Sequence, residues 1–227
     1  KYCYIQHPKK GKILFHLYPF QEKSLVDLKT NDYNVILKSR QLGISTLTAG
    51  YALWLMTFHQ DKNILVIATT QEVAKNLVTK VRVMYEHLPS WLKPTAIEAV
   101  SYKLSLRFKN GSQIKAVSSA STSGRSEALS LLIIDEAAFI DRIEEIWGSA
   151  QQTLATGGQA IILSTPNGTG NFFHKTWVGA EEKTNPFNPI KLHWTVHPER
   201  NESWRKRQDE LLGPRMAAQE CDCDFVS

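Results

Sequence analysis

Four short runs of the chain are apolar at nearly every position: Asn34 to Lys38 (NVILK), Lys62 to Thr69 (KNILVIAT), Leu129 to Ile134 (LSLLII) and Gln159 to Ser164 (QAIILS). A strand with no polar face belongs in a parallel sheet covered on both sides. The segments between them carry helical signals. Ser45 to Phe58 and Gln71 to His87 read as helices, the second ended by Pro89 and Pro94. Ile143 to Leu154 is a helix closed by Gly157-Gly158, Asn171 to Ala180 is helical, and Glu202 to Leu212 is a charged helix before Gly213-Pro214. Two segments alternate instead. Tyr102 to Val117 predicts a β-hairpin with a two-residue turn at Asn110-Gly111, and Ile190 to Val196 predicts an edge strand. Strands alternating with helices define an α/β fold with a mainly parallel central sheet flanked by helices.

The 227 residues can bury a sizeable core as one large domain, with room for a small appended subdomain. A net charge of +5 suits a polyanionic partner without requiring one. Cys3, Cys221 and Cys223 do not make a disulfide framework, and Cys221-x-Cys223 lacks zinc-site spacing. A reducing cytoplasm is the natural setting. No apolar run approaches membrane-spanning length, and the Lys-rich start lacks a signal-peptide core. Cys221 to Ser227 reads as a strand cut short, which suggests an excised domain.

Two stretches carry candidate chemistry. Lys38 to Thr46 (KSRQLGIST) follows a strand and opens a helix, as a phosphate-binding loop does. Aligned on Gly43, it has Ser45 and Thr46 in place, but Ile44 stands where the loop lysine normally stands. A lysine restored at Ile44 is expected to be tolerated. The backbone N–H groups of Gln41 to Ser45, Leu42 and Gly43 included, would cradle phosphates, with Ser45 on Mg²⁺. Lys38 can fold back over the loop to supply the missing cation, and Arg40 could sense the γ-phosphate.

The second stretch, Leu131 to Ile140 (LLIIDEAAFI), places Asp135 and Glu136 where a buried strand ends. Ligands bind at that end of open α/β sheets. Asp135 would hold Mg²⁺, directly or through water, and Glu136 would polarise an attacking water. Downstream, QAIILS runs into Ser164-Thr165-Pro166-Asn167-Gly168, small hydroxyl residues at another strand end. Upstream, Tyr18, Phe20 and Gln21 could stack on and read an adenine. Each has a plainer reading on the residues alone: a strand-end lysine, an acidic N-cap, a good turn, a core aromatic cluster.

Taken in order, these residues resemble the ATPase motor domain of the large terminase subunit of tailed bacteriophages and herpesviruses. The resemblance runs from about Tyr18 to Phe225, and DEAAFI and STPNG are its most specific strings. It implies an ASCE-type P-loop NTPase, with a core over about 1–185 and a small lid subdomain over about 186–227. It implies that Phe20 and Gln21 contact adenine and that Lys38, Ser39, Arg40, Gln41, Leu42, Gly43, Ile44, Ser45 and Thr46 bind ATP. Ser45 and Asp135 would hold Mg²⁺, and Glu136 would be the catalytic carboxylate. Ser164, Thr165, Pro166 and Asn167 would form the coupling motif. Arg125 stands where the family carries an arginine proposed to act across the subunit interface, and Arg40 would serve as a phosphate sensor.

The implied partners are double-stranded DNA, a portal protein and a small terminase subunit, in the host cell cytoplasm. The implied assembly is a homo-oligomeric ring, commonly a pentamer, with the isolated domain monomeric. Candidate DNA contacts are Lys9, Lys10 and Lys12, or Arg205-Lys206-Arg207; a solvated charged face explains them equally well. No nuclease activity is expected of this chain, since nothing after Phe225 remains to build the clustered acidic ligands it needs. The rival readings are a helicase-like ATPase and a nucleotide-binding regulatory domain that has lost catalysis.

Overall fold

A computed structural model describes residues 2–7, 9–97, 104–118 and 128–226. In chain order the strands and helices are β1 (Tyr4–His7), β2 (Gly11–Leu14), α1 (Pro19–Thr30), β3 (Tyr33–Lys38), α2 (Ile44–Phe58), β4 (Asn63–Ala68), α3 (Gln71–Glu86), β5 (Ala96–Ile97), β6 (Ser105–Phe108), β7 (Gln113–Ser118), β8 (Leu131–Asp135), α4 (Ile143–Leu154), β9 (Gln159–Ser164), α5 (Phe172–Glu181), β10 (Asn188–Leu192), α6 (Glu202–Leu212) and α7 (Pro214–Asp222). Short 3₁₀ turns lie at Ala137–Phe139 and Trp194–Val196.

The main sheet has the order β10-β3-β9-β8-β4-β7-β6-β5. Its first six strands are parallel; at one edge β6 pairs antiparallel with β7, and β5 pairs antiparallel with β6. The continuous apolar strands are explained by the two cores they serve. Ile36, Ile64, Val66, Leu131, Ile133, Ile161 and Leu163 face α2 and α3. Their sequence neighbours Val35, Leu37, Leu65, Ile67, Leu132, Ile134 and Ile162 face α4 and α5. With both faces covered, the period-two alternation disappears from the hydrophobic pattern.

Several expectations need correction. The turn at Asn110-Gly111 is part of a three-residue loop, Lys109 to Gly111, closed by Phe108 N–H to Ser112 C=O at 2.8 Å. Gly111 takes the left-handed conformation (φ +85°) that such a loop demands. The edge strand β10 ends at Leu192, and the residues after it turn into a 3₁₀ segment because His193 caps Thr195 N–H. Residues 221–226 form no strand: α7 continues to Asp222, and Cys223 stops it in a left-handed conformation (φ +60°). The expected division at 185/186 falls before β10, which belongs to the main sheet; of the described elements after 185, the 3₁₀ segment, α6 and α7 follow that last strand. The hairpin β1–β2 and the helix α1 are additions.

Candidate active site

Parallel register brings three strand ends to one line. Leu37 of β3 pairs with Ser164 of β9, and Leu163 of β9 pairs with Asp135 of β8. The chain therefore places Lys38, Ser164-Thr165 and Asp135-Glu136 at the carboxyl edge of three adjacent strands. Register alone achieves this, although Lys38 and Glu136 are 98 positions apart in sequence.

Lys38 has a buried side chain, and its ammonium forms an ion pair with Glu136 at 3.2 Å. Asp135 is 6% exposed. Its Oδ1 accepts from Glu136 N–H at 2.9 Å, and the Ser45 hydroxyl stands near enough to favour the charged carboxylate. Burial pushes the Asp135 carboxyl above the usual carboxylate range, Lys38 draws it down, and Glu136 raises it again. Glu136 itself sits at φ +54°, a conformation that costs a non-glycine residue on the order of 1–3 kcal/mol and that clusters at functional sites.

The loop between β3 and α2 is tied to the rest of the chain at its start. Ser39 N–H donates to Leu192 C=O at 2.7 Å and Arg40 N–H to Glu220 C=O at 2.8 Å. Among the described residues, the N–H groups of Gln41 to Ser45 donate to no protein acceptor. Gln41 (φ +56°) and Gly43 (φ +72°) are left-handed, which folds the loop back before α2 begins at Ile44. A Cβ at Gly43 would lie 2.8 Å from Gln21 Nε2, so a larger residue would strain φ and displace the Gln21 amide.

Gln21 is buried and serves the loop rather than standing free. Its Oε1 accepts from Tyr18 N–H at 3.0 Å, and its Nε2 donates to Leu42 C=O at 2.9 Å. One amide hydrogen and one carbonyl lone pair remain for a base. Phe20 stacks on Tyr18 with ring centroids 5.8 Å apart, and His197 closes on Tyr18 at 4.7 Å. Leu42 and Ile44 point into the core, at 2% and 1% exposure. Ile44 is thus a packing residue in the same apolar core as Leu47 and Leu77, and its burial argues against the expectation that a lysine there would be tolerated. Thr46 borders a groove against Tyr4, Gln6 and Thr79, away from the acid pair. Arg40 is exposed, and its Nε meets Glu220 Oε2 at 3.3 Å.

Behind the acids, β9 grips the turn that follows β8. Ser164 Oγ accepts from Ala138 N–H at 3.1 Å, and Asn167 Nδ2 donates to Ala138 C=O at 3.1 Å. Ala138 is thereby held at both its backbone groups by the STPN segment, with Thr165 and Pro166 buried between. Arg125 lies outside the described residues. Of the basic candidates, Arg205 is occupied by Asp222 and Asp209, while Lys9, Lys10, Lys206 and Arg207 are exposed. Lys12 meets the His87 ring at 2.7 Å.

A residue absent from the sequence reading stands out here. Arg200 reaches from the turn before α6 into the outer side of the loop, donating to Ser39 Oγ, Arg40 C=O and Gln41 C=O. No signal in the sequence marks it, because its partners are mostly backbone carbonyls. A cavity of about 490 Å³ lined by Lys29, Asp32, Trp54 and Gly158 lies at the opposite, amino-terminal end of the strands. The titratable cluster and the free amides both favour the carboxyl end.

Residues 35–226 match the family described as terminase large subunit, T4likevirus-type, N-terminal. The chain belongs to that family. Among solved structures, the large terminase ATPase domain of Thermus phage P74-26 superposes with a TM-score of 0.76 at 22% identity, over 93% of this chain and 95% of that one. A large terminase from another thermophilic bacteriophage, solved in complex with ATP-gamma-S, gives 0.72 at 12% identity, over 93% and 53%. The HK97 bacteriophage large terminase gives 0.71 at 19% identity, over 100% and 47%. The terminase domain thus spans about half the length of the latter two proteins. The UvsW helicase from bacteriophage T4 is a more distant fold match, with a TM-score of 0.54 at 16% identity, over 80% and 61%.

Proposed function

We propose that the domain hydrolyses ATP and that hydrolysis drives double-stranded viral DNA into a procapsid. The observation that carries this reading is the convergence of Lys38, Asp135-Glu136 and a loop of unpaired amides at one sheet edge. The oxygen donors fit Mg²⁺: a buried carboxylate beside a hydroxyl is a hard-ligand pair, and Asp135 bears a desolvation penalty that a cation would relieve. Ser45 and Asp135 would hold the ion, which when bound supplies charge stabilisation to the phosphates.

The chain's own residues do the rest. Amides of Gln41 to Ser45 bind phosphate oxygens at the N-terminus of α2. Lys38 leaves Glu136 for the phosphates, and Glu136, released, orients the attacking water and takes its proton. Ser164 and Asn167 hold Ala138 by its backbone and so carry any shift of Glu136 into β9. Arg125 would complete the site of a neighbouring subunit in a ring, docked on a portal and supplied with DNA by a small terminase subunit in the host cytoplasm. DNA would be held through its phosphates without sequence readout. No helix among the described residues is long and apolar enough to cross a membrane. Nuclease chemistry is proposed to lie outside these 227 residues.

Against the non-catalytic rival stands Asp135: a carboxylate buried beside a second one destabilises a protein that makes no use of it. The family match, over most of the chain, weighs against the helicase reading. The test is Glu136→Gln. It should retain ATP binding while Mg²⁺-dependent turnover falls by about 10²-fold or more; turnover at the parent rate would remove Glu136 from this role.

A further inference from the structure

We infer that Arg200 is a positioning residue that turns the phosphate loop's amides toward the nucleotide; this rests on the reading of the loop as the ATP site. In a trans peptide the C=O of one residue and the N–H of the next point in opposite directions. Arg200 Nη2 donates to Arg40 C=O at 2.9 Å and to Gln41 C=O at 3.1 Å. The N–H groups of Gln41 and Leu42 are therefore directed away from Arg200. These are two of the amides that find no protein acceptor among the described residues.

The same guanidinium donates through Nη1 to Ser39 Oγ at 3.2 Å. Three successive residues of the loop are thus tied to one side chain. Gln21 does the same for the next peptide by binding Leu42 C=O. These ties, with the Arg40 N–H bond to Glu220 C=O, bracket the left-handed Gln41 and hold its conformation.

Arg200 is itself held. Its guanidinium lies over the Trp204 ring at 4.3 Å. Trp204 is on α6, and α6 is fixed to α7 by the forked pairing of Arg205 with Asp222. From α7, Glu220 takes Arg40 from the other side, through both backbone and side chain. The pair α6–α7 therefore grips the outer rim of the loop at two points. A fork with several donors is what this geometry uses, and a lysine cannot reproduce it.

The experiment is calorimetric titration of the protein with ATP-gamma-S and, separately, with inorganic tripolyphosphate, both with Mg²⁺. Parent, Arg200→Ala and Arg200→Lys are compared, and the nucleotide-free melting temperature of each is recorded. Arg200→Ala should weaken both ligands by about tenfold, given the usual strength of charge-assisted hydrogen bonds. Arg200→Lys should recover part of that loss, since one ammonium serves fewer of the three acceptors. Equal affinity of Arg200→Ala and parent would overturn the inference. So would full recovery in Arg200→Lys, which would reduce Arg200 to a charge. Should Arg200→Ala fail to fold, the Lys variant alone decides: it must bind more weakly than the parent at an unchanged melting temperature. A parent that binds neither ligand sinks the ATP-site reading, and this inference with it.

Discussion

The Lys38 ammonium lies 3.2 Å from the Glu136 carboxylate, so the two residues proposed to act on ATP are paired with each other. Lys38 comes from the end of β3 and Glu136 from the end of β8, with β9 between. In the proposed mechanism, phosphate arriving at the loop would compete for the lysine and free the carboxylate. On that proposal the ion pair would tie the availability of Glu136 to an occupied site; the Lys38 side chain is only 7% exposed.

Lys38→Ala should weaken ATP binding by about tenfold to a hundredfold, the range expected for losing a cation that hydrogen-bonds a phosphate. Equilibrium titration with a non-hydrolysed analogue measures it. Unchanged affinity would move the cation's role to Arg40. Ile44→Lys should not rescue Lys38→Ala and should destabilise the fold, because position 44 faces the core.

Asp135 makes a pH prediction. Its folded carboxyl titrates above the ordinary value of 3.8 because of burial. A raised carboxylate pKa means that the protonated form is favoured in the folded state. The stability it contributes is present at low pH and is lost as pH rises through the folded pKa. Asp135→Asn should therefore raise the melting temperature of the nucleotide-free protein at neutral pH. A gain of about 2–4 °C is expected per kcal/mol relieved. The gap should close on acidification below the unfolded carboxylate pKa. A variant less stable than the parent at neutral pH would show that Lys38 and Ser45 more than compensate for burial.

Ser164→Ala removes the acceptor of Ala138 N–H. The loss should cost about 1–3 kcal/mol of stability, the usual penalty for a buried orphan donor. ATP affinity should stay within about threefold of the parent while turnover falls, because the loop is untouched and only the turn carrying Glu136 loosens. Thermal melts and single-turnover hydrolysis together separate the two effects; a drop in affinity alone would remove Ser164 from the coupling role.

The strands at the site were legible because burial on both faces leaves long apolar runs with nothing polar until the strand ends. The polar residue at each end is then conspicuous: Lys38, Asp135, Ser164. Other parts were not. The strands Tyr4–His7 and Gly11–Leu14 are four residues each and only half-buried, so their pattern carries little signal. Cys221, Phe225 and Val226 imitate a strand, yet α7 needs only one apolar stripe and ends at a left-handed Cys223. Gln21 was visible as an amide near an aromatic pair, but its bond to Leu42 C=O depends on the fold. Arg200 was invisible for the same reason.

Arg125→Ala should spare nucleotide binding by the isolated domain and lower turnover once subunits assemble. Nucleotide titration of the monomer and hydrolysis in the assembled motor measure the two arms. Loss of monomer binding would make Arg125 a structural residue.

Mg²⁺-dependent ATP hydrolysis, measured across a wide range of protein concentration with Glu136→Gln as the blank, tests the central claim most directly. The account predicts turnover above the blank that rises per subunit as concentration brings subunits together. ATP bound at the loop with no turnover above the blank at any concentration, even with portal and DNA supplied, would contradict it.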